Sequence, residues 1–122
     1  MKFGECLKFF RAKRGLKLAQ AAQMLNISTS YLSSIESGAR PAPCFKKLQR
    51  IADVLELTNH ERYRLYDLAA ESKQPPALAD DLTEYIYQNP AIRDLLRYAM
   101  ECRLAENEWD RISMIVKKNY YY

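Results

Sequence analysis

The stretch LKLAQAAQMLNISTSYLSSIESG, Leu16 to Gly38, decides how this chain folds. Leu18, Ala21, Ala22 and Leu25 recur at the spacing of one helical face, and the small Ala residues allow another helix to come close. Asn26 sits where a short polar side chain tolerates left-handed backbone, so the first helix, about 18–25, ends in a tight turn. Ile27 points inward. Ser28 is a good N-cap for a second helix over 29–37, with Tyr31, Leu32 and Ile35 as its apolar stripe and Gly38 as its stop. What the second helix leaves outside is a row of short hydroxyl side chains: Thr29, Ser30, Ser33, Ser34 and Ser37. Two short helices around a tight turn, the second with a small polar outer face, form a unit suited to entering the major groove of DNA.

Outward from this stretch the chain continues to read as helix. Phe3 to Arg14 carries Phe3, Leu7 and Phe10 on one side, and Gly15 stops it. The loop ARPAP, 39–43, is stiff and carries one positive charge. Cys44 to Leu55 presents Phe45, Leu48, Ile51, Ala52 and Leu55. Thr58 and Glu61 have capping-box spacing and start a helix from Asn59 to Glu71, burying Tyr63, Tyr66 or Leu65, and Ala69. Ser72 to Pro76 is the clearest break, with Pro76 suited to the first turn of the next helix, which ends near Gln88 and has Leu78, Leu82, Tyr85 and Ile86 as its stripe. Asn89-Pro90 restarts the pattern as far as Leu104. A last helix begins near Glu106 with Trp109, Ile112, Ile115 and Val116, and residues 119–122 have no period. The expected organisation is all-α: a DNA-binding domain over 1–71, a linker over 72–76, a three-helix region over 77–118, and a tail.

Charge is unevenly divided along the 122 residues. Residues 1–50 hold ten Lys or Arg against Glu5 and Glu36, a local charge of +8, while residues 51–122 hold nine basic and thirteen acidic side chains, a charge of −4. A basic front half attracts phosphate through its local field, and an acidic back half points to a different partner. No apolar run is long enough to span a bilayer, and the N-terminus lacks the apolar core and small-residue cleavage site of a secretory signal. Cys6, Cys44 and Cys102 are far apart and odd in number, which argues against a disulfide framework or a zinc site and fits a reducing cytoplasm. His60, the single histidine, is read as a surface residue at a helix start. No nucleophile–His pair, acid pair or phosphate loop is present, so the chain is not read as an enzyme and no cofactor or metal is expected.

Gly15-Leu16, Ala22, Leu25, Ile27-Ser28, Tyr31-Leu32-Ser33, Ile35-Glu36 and Gly38, followed by Leu48, Ile51-Ala52 and Leu55, make residues 4–57 resemble the Cro/lambda-repressor helix-turn-helix family, also called the XRE family. The resemblance implies a five-helix domain and dsDNA as partner. By match to the family's base-reading positions, Thr29, Ser30 and Ser34, with Ser33 beside them, face base edges, where hydroxyls donate or accept and a Thr methyl meets a thymine methyl. Lys17, Tyr31, Ser37, Arg40, Lys46 and Lys47 are the candidate phosphate contacts, which position the helix rather than read sequence. Tyr31 has an alternative role, packing its ring between the two helices. The family's matching positions also imply an ion pair between Arg11 and Glu36. The chain departs from the pattern at Leu18, where the family often has a phosphate-holding Gln, and in a connection after Gly38 that is about one residue longer.

The last three helices exceed what such a domain needs, and one short helix-turn-helix covers half a site. The region 77–118 is therefore expected to form a homodimer interface, with Tyr85, Ile92, Leu96, Trp109 and Ile112 as candidates and Tyr87 and Tyr98 as further aromatic anchors. This front and tail together resemble small bacterial or phage regulators. The expected activity is sequence-specific binding to a palindromic duplex by a dimeric repressor. Two alternatives stay open: an antitoxin-type module whose acidic C-terminal half neutralises a protein partner, and an adaptor using the same fold on protein or RNA.

Overall fold

The computed structural model describes residues 1–120, and the last two tyrosines of the expected tail lie outside them. Among the described residues the chain forms eight α-helices: α1 (Phe3–Lys13), α2 (Leu18–Met24), α3 (Thr29–Ser37), α4 (Phe45–Val54), α5 (Asn59–Glu71), α6 (Asp80–Gln88), α7 (Pro90–Cys102) and α8 (Glu106–Tyr120). It divides into two compact units, Met1–Thr83 and Glu84–Tyr122.

The helix ends follow local chemistry. Gly15 takes φ +70° after α1, Asn26 takes φ 57° between α2 and α3, and Gly38 takes φ 84° after α3. Each supplies the left-handed residue that ends a helix. Ser28 Oγ accepts the Tyr31 amide at 3.0 Å, which caps α3. Thr58 and Glu61 exchange backbone-to-side-chain bonds of 2.9 and 3.2 Å, a full capping box on α5.

In the first unit α1 packs on α3 and α5, α2 on α3, and α4 on α5. Leu7, Leu32, Ile35, Leu55 and Leu65 are the fully buried large side chains. Burial of each contributes about 1.5–3 kcal/mol. Gly4 makes the α1–α3 contact possible, because a Cβ there would stand 2.7 Å from the Ile35 carbonyl oxygen and nearer still to that of Glu36. Several expectations for this unit change. Tyr63 is exposed, and α5 buries Leu65, Tyr66, Ala69 and Ala70 instead. The sixth helix starts at Asp80 rather than just after Pro76. The reason is tertiary: the Ala77 amide donates to the Ala70 carbonyl at 3.1 Å and Ala79 is buried in the core, so 77–79 lies along α5 before helix begins. The division between the two compact units falls after Thr83, within α6.

In the second unit Pro90 occupies the first turn of α7, and Arg103 ends that helix at φ 53°. α8 extends through Asn119 and Tyr120, positions read from sequence as tail. Ala99 is the one buried apolar side chain of this unit among the described residues. Tyr85, Tyr98, Met114 and Ile115 each expose at least 60% of their surface. Leu78 and Leu82, expected in a buried stripe, are exposed in the first unit.

Candidate nucleic-acid interface

The interface is built from α3 outward. Leu32 and Ile35 are buried on its inner side, and Thr29, Ser30, Ser33 and Ser37 are exposed on its outer side, with Ser34 half-exposed. The hydroxyls are not equivalent. Ser34 Oγ donates to the Ser30 carbonyl at 2.9 Å, and Ser37 Oγ donates to the Ser34 carbonyl at 3.1 Å. Ser37 Oγ also accepts the Ala39 amide at 3.3 Å. Ser34 thus offers acceptor capacity to a base, whereas Thr29, Ser30 and Ser33, which make no side-chain bond among the described residues, keep both donor and acceptor.

Arg11 is held away from solvent. Its Nε donates to Glu36 Oε2 at 2.7 Å, its Nη2 to Glu36 Oε1 at 2.9 Å, and its Nη1 to the Leu16 carbonyl at 2.8 Å. The bond to Glu36 raises the guanidinium pKa above its ordinary value, so the group stays charged. The pair joins α1 to the end of α3 and fixes how the helix is presented. Lys13 and Arg14 are also engaged. Lys13 Nζ lies 2.9 Å from Glu61 Oε2, and Arg14 donates from Nε to the Leu55 carbonyl at 2.6 Å and from Nη2 to the Glu56 carbonyl. Arg14 therefore caps the C-terminus of α4. Part of the basic charge of residues 1–50 is spent inside the fold rather than offered to a ligand.

Lys17, Arg40, Lys46, Lys47 and Arg50 are exposed, and none is in an ion pair among the described residues. Lys17 is the N-cap residue of α2, and its amide donates to Gln20 Oε1 at 2.8 Å. Leu18, where the family often has Gln, is half-buried against the core. The Arg40 guanidinium stands 5.8 Å from the centre of the Tyr31 ring, a cation–π distance, and its amide donates to the Ser34 carbonyl at 3.1 Å. The longer connection after Gly38 is thereby tied back to α3. Tyr31 is half-buried and packs on the core. Lys46 and Lys47 stand in the first turn of α4, with Arg50 one turn on. Arg50 is a basic residue that reading the sequence did not single out, although its spacing from Lys46 and Lys47 places all three along α4.

Other candidate residues lie apart from this face. His60 is exposed in the first turn of α5. Cys44 is exposed at the N-cap of α4, and Cys6 is buried, where desolvation pushes its thiol pKa up. In the second unit Tyr85 is exposed, while Ile92, Leu96, Trp109 and Ile112 are half-buried. No helix of the described residues is long and apolar enough to cross a membrane.

The family profile for the helix-turn-helix domain matches residues 2–65. The chain belongs to the helix-turn-helix domain family. This helix-turn-helix protein is 27% identical over 100 residues to the HTH-type transcriptional regulator SinR of Bacillus subtilis, covering 78% of this chain and 89% of the relative. It is 36% identical over 83 residues to the HTH-type transcriptional regulator DdrOP3 of Deinococcus deserti, covering 66% and 64%. The SinR of Bacillus licheniformis is 32% identical over 57 residues, or 47% of this chain and 51% of the relative. Among solved structures, a chain of a SinR protein/SinI protein complex covers 98% of this chain and 99% of its own at 20% identity, with a TM-score of 0.48.

Proposed function

We propose that this helix-turn-helix protein is a DNA-binding transcriptional regulator that works in the cytoplasm as a dimeric repressor. The observation that carries the reading is the outer face of α3. It is a row of hydroxyls without an acidic side chain, on a domain where Lys17, Arg40, Lys46, Lys47 and Arg50 are exposed and in no ion pair among the described residues. Thr29, Ser30, Ser33 and Ser34 read base edges, and Lys17, Tyr31, Ser37, Arg40, Lys46 and Lys47 hold phosphates. The regulators it resembles carry transcriptional regulation in their names, which supports the same role here. Short hydroxyl side chains discriminate less than Arg or Gln, so affinity leans on the phosphate contacts and on a second half-site. The exposed Tyr, Met and Ile side chains of the second unit support pairing of two copies there, with Tyr85, Ile92, Leu96, Trp109 and Ile112 contributing to the contact. Repression follows from occupancy: two copies of α3 in successive major grooves exclude polymerase.

The test is selection of bound duplexes from random DNA with the full chain. A palindrome with half-sites one helical turn apart is expected, and Ser34→Arg is expected to change the selected bases in each half. Enrichment of nothing, with binding that tracks ionic strength alone, overturns the reading. A monomeric mass in solution at micromolar concentration overturns the dimer.

A further inference from the structure

The first unit contains a cavity of about 260 Å³ beneath the recognition helix. Ile27, Tyr31, Ile35 and Ile51 are among its apolar walls, and Asn26, Lys47 and Arg50 are among its polar lining. No Asp or Glu among the described residues borders it. We infer that this cavity is a binding site for a small organic anion, a carboxylate on an apolar body about the size of one aromatic ring.

Three observations carry the assignment. The volume is just below the roughly 300–1,000 Å³ of ordinary ligand pockets, which suits a single ring with a short arm. Most of the lining surface is apolar, with Ile27, Ile35 and Ile51 among its sources, so an apolar body seated there would gain dispersion contacts while Asn26, Lys47 and Arg50 supply polar partners at the same site. Lys47 and Arg50 are three residues apart on one helix, a spacing that places like charges as neighbours, and neither has an acidic partner among the described residues. A carboxylate between them would relieve that repulsion and accept a two-pronged bond from the Arg50 guanidinium. An uncharged apolar molecule would leave this pair unanswered, and a cation would be repelled.

Occupation would also act on DNA binding. Lys47 is among the residues assigned to phosphate, and Tyr31, which lines the cavity, carries the Arg40 guanidinium over its ring. An anion held there competes with the DNA backbone for Lys47. This coupling rests on the DNA-binding reading, whereas uptake of the anion does not.

The experiment titrates the full chain with phenylacetate and, separately, with phenylethyl alcohol, following isoleucine methyl resonances by NMR. Saturable shifts at Ile27, Ile35 and Ile51 are expected with the acid, and affinity about tenfold weaker with the alcohol. Arg50→Gln, a change at an exposed position, is expected to bring the acid down to the alcohol's level. Shifts that rise linearly without saturating, equal affinity for acid and alcohol, or undiminished acid binding by Arg50→Gln each overturn the assignment. A second arm measures affinity for a selected duplex in saturating phenylacetate against the same concentration of acetate. Weaker binding in phenylacetate supports the coupling, and unchanged binding overturns it. A protein that takes up the acid but selects no duplex overturns the DNA-binding reading and leaves the cavity assignment standing.

Discussion

Gly4→Ala sets two effects of known sign against each other. Gly4 lies in the first turn of α1, where helix propensity alone favours Ala by up to about 1 kcal/mol. The packing says the opposite. The new methyl would stand 2.7 Å from the Ile35 carbonyl oxygen and closer to that of Glu36. An ordinary carbon–oxygen contact needs about 3.3 Å, so α1 must retreat from α3 by roughly 0.6 Å or more. Both obstacles are backbone, and no rotamer change relieves them. Overpacking of this kind costs about 1–3 kcal/mol, and the retreat also strains the Arg11–Glu36 pair, since Glu36 supplies both the obstructing carbonyl and the carboxylate. The expected net loss is about 2 kcal/mol. For a unit of this size that lowers Tm by about 10 °C. Urea and thermal unfolding followed by circular dichroism measure it. Gly15→Ala is the control: it has φ +70° but no atom within 4 Å of an added methyl, so it loses only the cost of left-handed backbone, about 1–2 kcal/mol. Gly4→Ala as stable as the parent protein, or more so, would refute the close α1–α3 approach.

Removing either partner of the Arg11–Glu36 pair leaves a charge with at most 13% of its side chain exposed. Arg11→Ala and Glu36→Ala are each expected to destabilise by about 3–5 kcal/mol, and the double variant by clearly less than their sum, as read by a double-mutant cycle in urea. Glu61 accepts the Thr58 amide and pairs with Lys13, which lowers its pKa from 4.5 to about 2. A depressed carboxyl contributes stability that is fully present above pH 4.5 and is lost as pH falls toward about 2. The urea midpoint is therefore expected to fall over that interval, and to fall less in Glu61→Gln. Arg40→Gln and Lys46→Gln should each weaken DNA binding uniformly across sequences and reduce the salt slope of log K by about 1, measured by fluorescence anisotropy. A change in the selected bases instead would show that these residues read sequence.

Much of the fold is legible along the chain because helix boundaries are short-range. Ser28 bonds to Tyr31, Thr58 to Glu61, and Asn26, Gly15 and Gly38 satisfy a backbone angle at their own position. Each signal involves residues within one turn, so spacing reveals it. The outer hydroxyl row of α3 is legible for the same reason, since helical period fixes which residues share a face.

Other features depended on distant partners. Arg14 reads as one more phosphate-attracting base, yet it caps carbonyls at Leu55 and Glu56, some forty positions away. Tyr63 and Tyr66 are alike in sequence terms, and only the contact of α5 with α4 buries Tyr66, whose ring lies edge-on to Phe45 at 4.8 Å. Lys47 and Arg50 are ordinary surface cations until α4 is set beside the turn at Ile27 and a cavity opens between them.

The sequence by itself determined eight helical segments, most of their ends, and which face of the fourth decade's helix carries hydroxyls. Tertiary structure decided which cations stand outside ion pairs among the described residues, where α6 begins, and that the recognition helix borders a lined cavity. The physical reason is range: capping and periodicity are satisfied within a few residues, whereas charge pairing and burial are settled by whichever element the fold brings alongside.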